Sequence, residues 1–263
     1  MFDMNFKLDS SETEFEDIFF NRPVSRIHAS SIGLVCSRNV ALKTINTIYQ
    51  IITALNHRVI LVADENKTSK LLPADVLLKS KKTLGYQNVD DGINELEQSK
   101  IIILLAGKEL NSAMELFMNQ LLKVYKGTII TDKLSIIHNT EFEGKGILIA
   151  DSQNLSAKYD SGLNHIANLT LEYSKENRCP IVFLKPNQVI CTSHQQPGVA
   201  CVVSSKKTII PEEYIAFMAG LMADKKIPLE LDWLRYCQAA GYLMRKMNTS
   251  GLASVKKYLD DKF

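Results

Sequence analysis

From residue 32 onward the chain alternates short runs of consecutive apolar residues with longer segments in which apolar residues recur every three or four positions. The runs at 32–36, 58–63, 101–106, 127–131, 147–150 and 181–184 are apolar at neighbouring positions. A strand with one wet face would alternate instead, so these read as strands covered on both faces. After the first run, Ala41, Ile45, Ile48, Ile52 and Leu55 fall on one face of a helix. Met114, Phe117, Leu121 and Val124 do the same further on, and a long helical pattern runs from about 155 to 176. Repeated strand-helix alternation predicts an α/β fold in which these six runs form a mostly parallel central sheet, joined by right-handed crossovers with helices on both faces.

The C-terminal part changes character. Runs at 188–192 and 199–204, separated by His194-Gln195-Gln196-Pro197-Gly198, predict a β-hairpin, because Pro-Gly is a strong turn former. Two helices follow, at 211–224 with Tyr214, Ile215, Met218 and Met222 inward, and at about 228–247 with Leu234, Cys237, Gly241 and Met244 inward. Both open on proline, whose missing amide would be unpaired at the first helical position anyway. At the other end, Ser11-Glu12-Thr13-Glu14 forms a capping box for a short helix carrying Phe15, Ile18 and Phe19, stopped by Asn21-Arg22-Pro23. Residues 1–22 therefore read as an acidic, aromatic segment with a short helix. No repeat or Pro/Gly/Ser linker divides 23–263, which reads as a single α/β domain.

Composition narrows the partners. In 263 residues, Lys+Arg 31 against Asp+Glu 29 gives a net charge of +2. That balance predicts neither a nucleic-acid stripe nor a patch for an anionic membrane. The opening residues carry no signal-like pattern, and the longest apolar run is far short of the roughly 20 residues that cross a bilayer. These features predict a cytoplasmic chain. The cysteines, Cys36, Cys179, Cys191, Cys201 and Cys237, form no CxxC pair and sit in or beside apolar runs, so they read as small buried hydrophobes in a reducing compartment. The histidines have no metal-ligand spacing, which predicts no metal held by protein ligands.

In open α/β sheets, ligands bind beyond the carboxyl ends of the strands. Those ends carry Ser37-Arg38, Asp64-Glu65, Gly107-Lys108, Asp132-Lys133, Asp151-Ser152 and Lys185-Pro186-Asn187. A polar rim is expected of any such sheet because the rim is solvated. No Walker A, GxGxxG, HExxH or GxSxG motif is present, so the well-marked nucleoside triphosphatase, dehydrogenase, zinc-protease and hydrolase readings lack their carriers.

The order of elements and four local stretches, Ile32-Gly33-Leu34-Val35-Cys36-Ser37-Arg38, Leu72-Pro73-Ala74-Asp75-Val76, Ile181-Val182-Phe183-Leu184-Lys185 and Ala219-Gly220-Leu221-Met222-Ala223, resemble the ADP/ATP-dependent NAD(P)H-hydrate dehydratases of the ribokinase-like superfamily. The resemblance covers roughly 24–248. It implies a three-layer ribokinase-like fold, with a C-terminal β-hairpin, and ATP or ADP with Mg as cofactor. In that family a GTGD- or GSGD-like segment opens the helix that ends in the AGLxA-like run, its glycine amides forming an anion hole and its aspartate acting as base. Here Ile209-Ile210-Pro211-Glu212 stand at those positions. Branched side chains replace glycine, Pro211 removes an amide donor, and Glu212 is the candidate base, or else merely complements the helix dipole.

Other glycine-dependent loops differ too. The LKG-like turn reads Leu184-Lys185-Pro186, and the GPGLG-like segment reads Ala106-Gly107-Lys108-Glu109-Leu110. The TPHxxE-like stretch reads Ala150-Asp151-Ser152-Gln153-Asn154. Asp132 matches an LDAD-like strand end and Ser37 a serine near the family's substrate pocket, so Ser37, Arg38, Asp132 and Asp151 are the candidate substrate residues. Lys185, Asn187, Ser204, Ser205, Lys206, Lys207 and Thr208 are the candidate nucleotide or phosphate ligands, since their ammonium, hydroxyl and amide groups offer side-chain donors where the backbone donors are gone.

Three readings follow. One is a diverged relative that binds a nucleotide or small anion with weak or lost catalysis. A second is a working dehydratase or small-molecule kinase, and a third an assembly protein whose fold serves subunit contacts. A homo-oligomer is expected, with a small molecule or nucleotide as ligand.

Overall fold

The structure, a computed structural model, describes residues 7–8, 30–37, 39–63, 83–84, 89–107, 112–138, 146–150, 162–195, 200–204, 208–224 and 229–262. The expected helix within 1–22 lies outside them. In chain order the elements are β1 (Lys7–Leu8), β2 (Ser31–Cys36), α1 (Leu42–Ala54), β3 (Arg58–Ala63), β4 (Thr83–Leu84), α2 (Val89–Glu97) and β5 (Ile101–Leu105). They continue with α3 (Ser112–Val124), β6 (Thr128–Thr131), α4 (Leu134–Ile137), β7 (Gly146–Ala150), α5 (Leu163–Asn177) and β8 (Ile181–Lys185). The last are β9 (Gln188–Thr192), β10 (Ala200–Ser204), α6 (Pro211–Asp224) and α7 (Leu229–Lys262). The α/β fold with a mostly parallel sheet is as expected, and the chain divides into two compact units, Ala29–Leu148 and the remainder.

In the unit Ala29–Leu148 the strand order is β7-β6-β5-β2-β3-β4, with parallel pairing throughout. The apolar runs explain this, because only strands covered on both faces can be built from uninterrupted Ile, Leu and Val. One face is closed by Leu96 of α2 and Met114, Phe117 and Leu121 of α3, all fully buried against Val35, Val62, Ile102 and Leu104. Each such side chain contributes about 1.5–3 kcal/mol of burial. On α1, Ile45, Ile48 and Ile52 are buried as the three-to-four spacing predicts. Helix α2 was not apparent from the sequence, since its residues are half polar and only Ile93 and Leu96 mark its buried face.

In the other unit, β1-β10-β9-β8 lie in that order, and β1 pairs parallel with β10 through Lys7↔Cys201 and Leu8↔Val202. The expected hairpin of β9 with β10 is present. The strand expected at 181–184 is present as β8, and it pairs antiparallel with β9 across the two-residue turn Pro186-Asn187, a hairpin the sequence reading did not include. A connection that short can join only antiparallel neighbours. The helix expected from about 155 needs correction. α5 begins at Leu163, after Gly162 with extended angles φ −57° and ψ 152°, and residues 155–161 lie outside the described residues.

Helix α6 starts at Pro211, as predicted, and Tyr214, Ile215, Met218 and Met222 are buried. It packs against α7. On α7, Cys237, Gly241 and Met244 are buried, whereas the side chain of Leu234 and the residue Pro228 lie outside the description. The first arm ends at the kink at Gly251, close to the expected end near Met247, and a second arm that was not expected follows it. Helical residues continue to Lys262, interrupted at Gly251, whose φ of 79° and ψ of 164° belong to a region open essentially to glycine alone. There the chain doubles back. The rings of Tyr242 and Tyr258 come within 5.9 Å, and Lys246 Nζ sits 4.0 Å from the Tyr258 ring centre, a cation–π contact that ties the two arms. Among the described residues no helix is long and apolar enough to cross a membrane.

Candidate functional site

Within Ala29–Leu148, three strand ends converge on one peptide segment. The Ser37 hydroxyl donates to the Ala106 carbonyl at 2.6 Å, and the Ser37 amide donates to the Leu105 carbonyl at 2.9 Å. Asp132, just past β6, accepts from the Ala106 amide at 2.8 Å with one carboxylate oxygen and from the Gly107 amide at 2.9 Å with the other. Gly107 has a φ of 66°, so the chain turns left-handed immediately after the clamp, as glycine permits without strain. Burial raises the Asp132 carboxyl above its ordinary 3.8, against the lowering pull of the two amides and of Lys133.

Ser37 and Asp132 are thus brought together, and both spend hydrogen bonds on holding the segment that follows β5. That role was not visible in the sequence, because Asp132 lies 26 and 25 positions from its two amide partners. Arg38 and Asp151, the other expected substrate residues, lie outside the described residues.

In the other unit, the turn between β8 and β9 meets the start of α6. The Ile209 amide donates to the Pro186 carbonyl at 2.6 Å, which sets half-buried Lys185 and exposed Asn187 on the turn that Ile209 grips. Thr208 is exposed, and Ser204 is the last residue of β10, in register with Gln188. Ser205, Lys206 and Lys207 lie outside the described residues.

A helix N-terminus binds phosphate by pointing unpaired amides at it. At α6 that supply is reduced at two of the positions of the expected glycine segment, 209 and 211. The Ile209 amide is already engaged by Pro186, and Pro211 has none. The Ile209 side chain is 3% exposed and packs inward, while Ile210 at 38% covers the outside. Glu212, half-buried, and Glu213, buried, occupy the first turn, where carboxylates complement the helix dipole. The described residues of this helix start therefore offer a phosphate fewer backbone amides than a glycine segment would. Among the described residues no group of three or more His, Cys, Asp or Glu side chains is arranged to hold a metal ion.

All five cysteines are buried thiols without a disulfide, as their apolar surroundings predicted. Three of them share the core under α6 and α7. Cys191 Sγ lies 3.3 Å from the Tyr214 hydroxyl, and that hydroxyl donates to the Cys237 carbonyl at 2.9 Å. Burial pushes the Tyr214 hydroxyl and the Cys237 thiol well above their ordinary values, with Cys191 and Cys201 as contributing neighbours. Trp233 closes the same core, its indole N–H donating to the Thr192 carbonyl at 3.3 Å.

No protein-family model matches this sequence, and no curated protein does. Solved structures do match. A ribokinase-like superfamily protein of Enterococcus faecalis superposes with a TM-score of 0.66 at 11% identity, covering 96% of this chain and 95% of that one. A hypothetical protein of Streptococcus mutans gives 0.67 at 10% identity, over 97% and 99% of the two chains. The ADP/ATP-dependent NAD(P)H-hydrate dehydratase of Bacillus subtilis, crystallised with ATP and Mg2+ and soaked with CoA, gives 0.64 at 12% identity over 94% and 97%. With nearly full-length coverage on both sides and an α/β sheet whose described pairings are mostly parallel, this chain has the ribokinase-like fold.

Proposed function

We propose that this protein is a diverged relative of the NAD(P)H-hydrate dehydratases that binds a nucleotide or another small anion through side chains, with phosphoryl-transfer or dehydratase chemistry weak or lost. The observation that carries this reading is the Ile209 amide bound to the Pro186 carbonyl two residues before Pro211. Transfer from ATP relies on positioning and on fixed electrostatic donors rather than on covalent chemistry, so a helix start depleted of amides removes much of the catalytic apparatus. Binding is less demanding. Lys185, Thr208 and the hydroxyls and ammonium groups of Ser204, Ser205, Lys206 and Lys207 are the side-chain donors of this reading, and Glu212 is its obstacle or weak base.

Calorimetry with ATP and ADP on the wild type and on the combined variant Lys206→Ala, Lys207→Ala tests this. The expected result is measurable binding that weakens in the variant. Unchanged affinity, or no binding to the wild type, contradicts it. Pro211→Gly should strengthen binding by returning an amide. Ile209→Gly should instead destabilise the fold, because emptying this buried isoleucine site costs on the order of 2–5 kcal/mol in cavity and lost contacts.

A further inference from the structure

Cys191 and Cys201 are direct Cα partners across the antiparallel pair β9–β10, and both are essentially fully buried. Directly opposed residues in such a pair have Cα atoms about 4.5 or 5.5 Å apart, depending on whether the pair is hydrogen-bonded. Both distances fall inside the range of roughly 4.4–6.8 Å that a disulfide spans without backbone movement. Opposed residues also project to the same face. The Tyr214 hydroxyl confirms that face, since Cys191 contacts it directly and Cys201 lies near enough to influence its ionisation.

We propose that Cys191 and Cys201 form a latent cross-strand disulfide, closed by a peroxide, which acts as an oxidation-sensitive lock on the β9–β10 hairpin. The Cys191 thiolate attacks one peroxide oxygen, giving a sulfenic acid and releasing water after proton uptake. The Cys201 sulfur then displaces the sulfenic oxygen as a second water. Two thiols lose one electron each, and the peroxide takes up both. Both sulfurs are shielded from a peroxide in the closed protein, so the reaction follows local opening. Opening has to release the pairing of Lys7 with Cys201 and of Leu8 with Val202, the two residue pairs that β1 makes with β10 among the described residues. Cys237 on α7 is the competing partner, since its thiol hydrogen-bonds Cys191, but it is not a Cα partner in the strand pair, where Cys201 stands directly opposite.

The test treats the folded full chain with hydrogen peroxide, blocks remaining thiols in denaturant, then reduces and labels with a second alkylating reagent. Both cysteines fall between Arg178 and Lys206 with no basic cleavage site between them except Lys185, which precedes proline, so fragment sequencing assigns the label. The expected result is the second label on Cys191 and Cys201 in equal amount, a 2 Da mass loss before reduction, and a raised melting midpoint that reductant reverses. Cys201→Ala should abolish the linkage, and Cys237→Ala should leave it intact. A link from Cys191 to Cys237, no link at all in the folded wild type, or a lowered midpoint in the linked form overturns the proposal. The wild-type labelling result stands without any variant.

Discussion

Gly241→Leu is expected to leave little folded protein, and Gly241→Ala to cost on the order of 1–3 kcal/mol, the usual range for overpacking a filled core. A Cβ built on Gly241 would stand 2.4 Å from Val203 Cγ1, 2.7 Å from its Cγ2 and 3.1 Å from its Cβ. Val203 is a β-branched residue in the middle of β10, buried and stiff about its first torsion, so it cannot rotate aside. The glycine is what lets α7 approach the sheet closely. Urea unfolding followed by circular dichroism measures the loss. Val203→Ala in the Gly241→Ala background should recover part of it, because contacting residues couple in a double-mutant cycle. A Gly241→Ala change within about 0.5 kcal/mol of wild type, the range of an ordinary surface substitution, contradicts the packing described.

Asp132→Ala should lower stability by about 2–3 kcal/mol, since it removes two charge-assisted hydrogen bonds and leaves two part-buried amides without acceptors. Asp132→Asn retains one acceptor and should lose roughly half as much. The pH dependence separates charge from geometry. The folded carboxyl sits above its ordinary 3.8 because burial opposes ionisation, so the folded state holds the proton more tightly than the unfolded chain. The margin of the wild type over Asp132→Asn therefore shrinks as pH rises from 3.8 through the raised value, and is flat above it. A margin that instead grows with rising pH would show that the amide bonds outweigh burial.

Much of the fold was legible because its signals are local. The runs around Ile32, Val59 and Ile101 are too uniformly apolar for a one-sided sheet, and Pro211 announced the start of α6 to the residue. The misreadings share a different cause. Nothing in the spacing around Gly251 distinguishes a helical glycine from one with a positive φ, so the doubled-back arm of α7 was invisible. The turn at Pro186-Asn187 carries a hairpin signal, two residues between two apolar runs, but a uniformly apolar run such as Ile181 to Leu184 fits either pairing and leaves its direction undecided. At the sites, residue identity revealed the loss of glycine and of one amide. The hydrogen bond from Ile209 to Pro186, and the grip of Asp132 on Ala106 and Gly107, join residues more than twenty positions apart. Such contacts are fixed by tertiary packing, and no single-sequence pattern encodes them.

The most direct measurement is steady-state turnover of hydrated NADH and NADPH by the purified chain, with Mg2+ and either ATP or ADP. With the Ile209 amide engaged and Pro211 lacking one, the expected result is a rate indistinguishable from the uncatalysed reaction, or orders of magnitude below the ordinary enzymatic ~10 per second. Turnover near that ordinary rate, abolished by Glu212→Gln, would contradict the loss of catalysis and make Glu212 a working base.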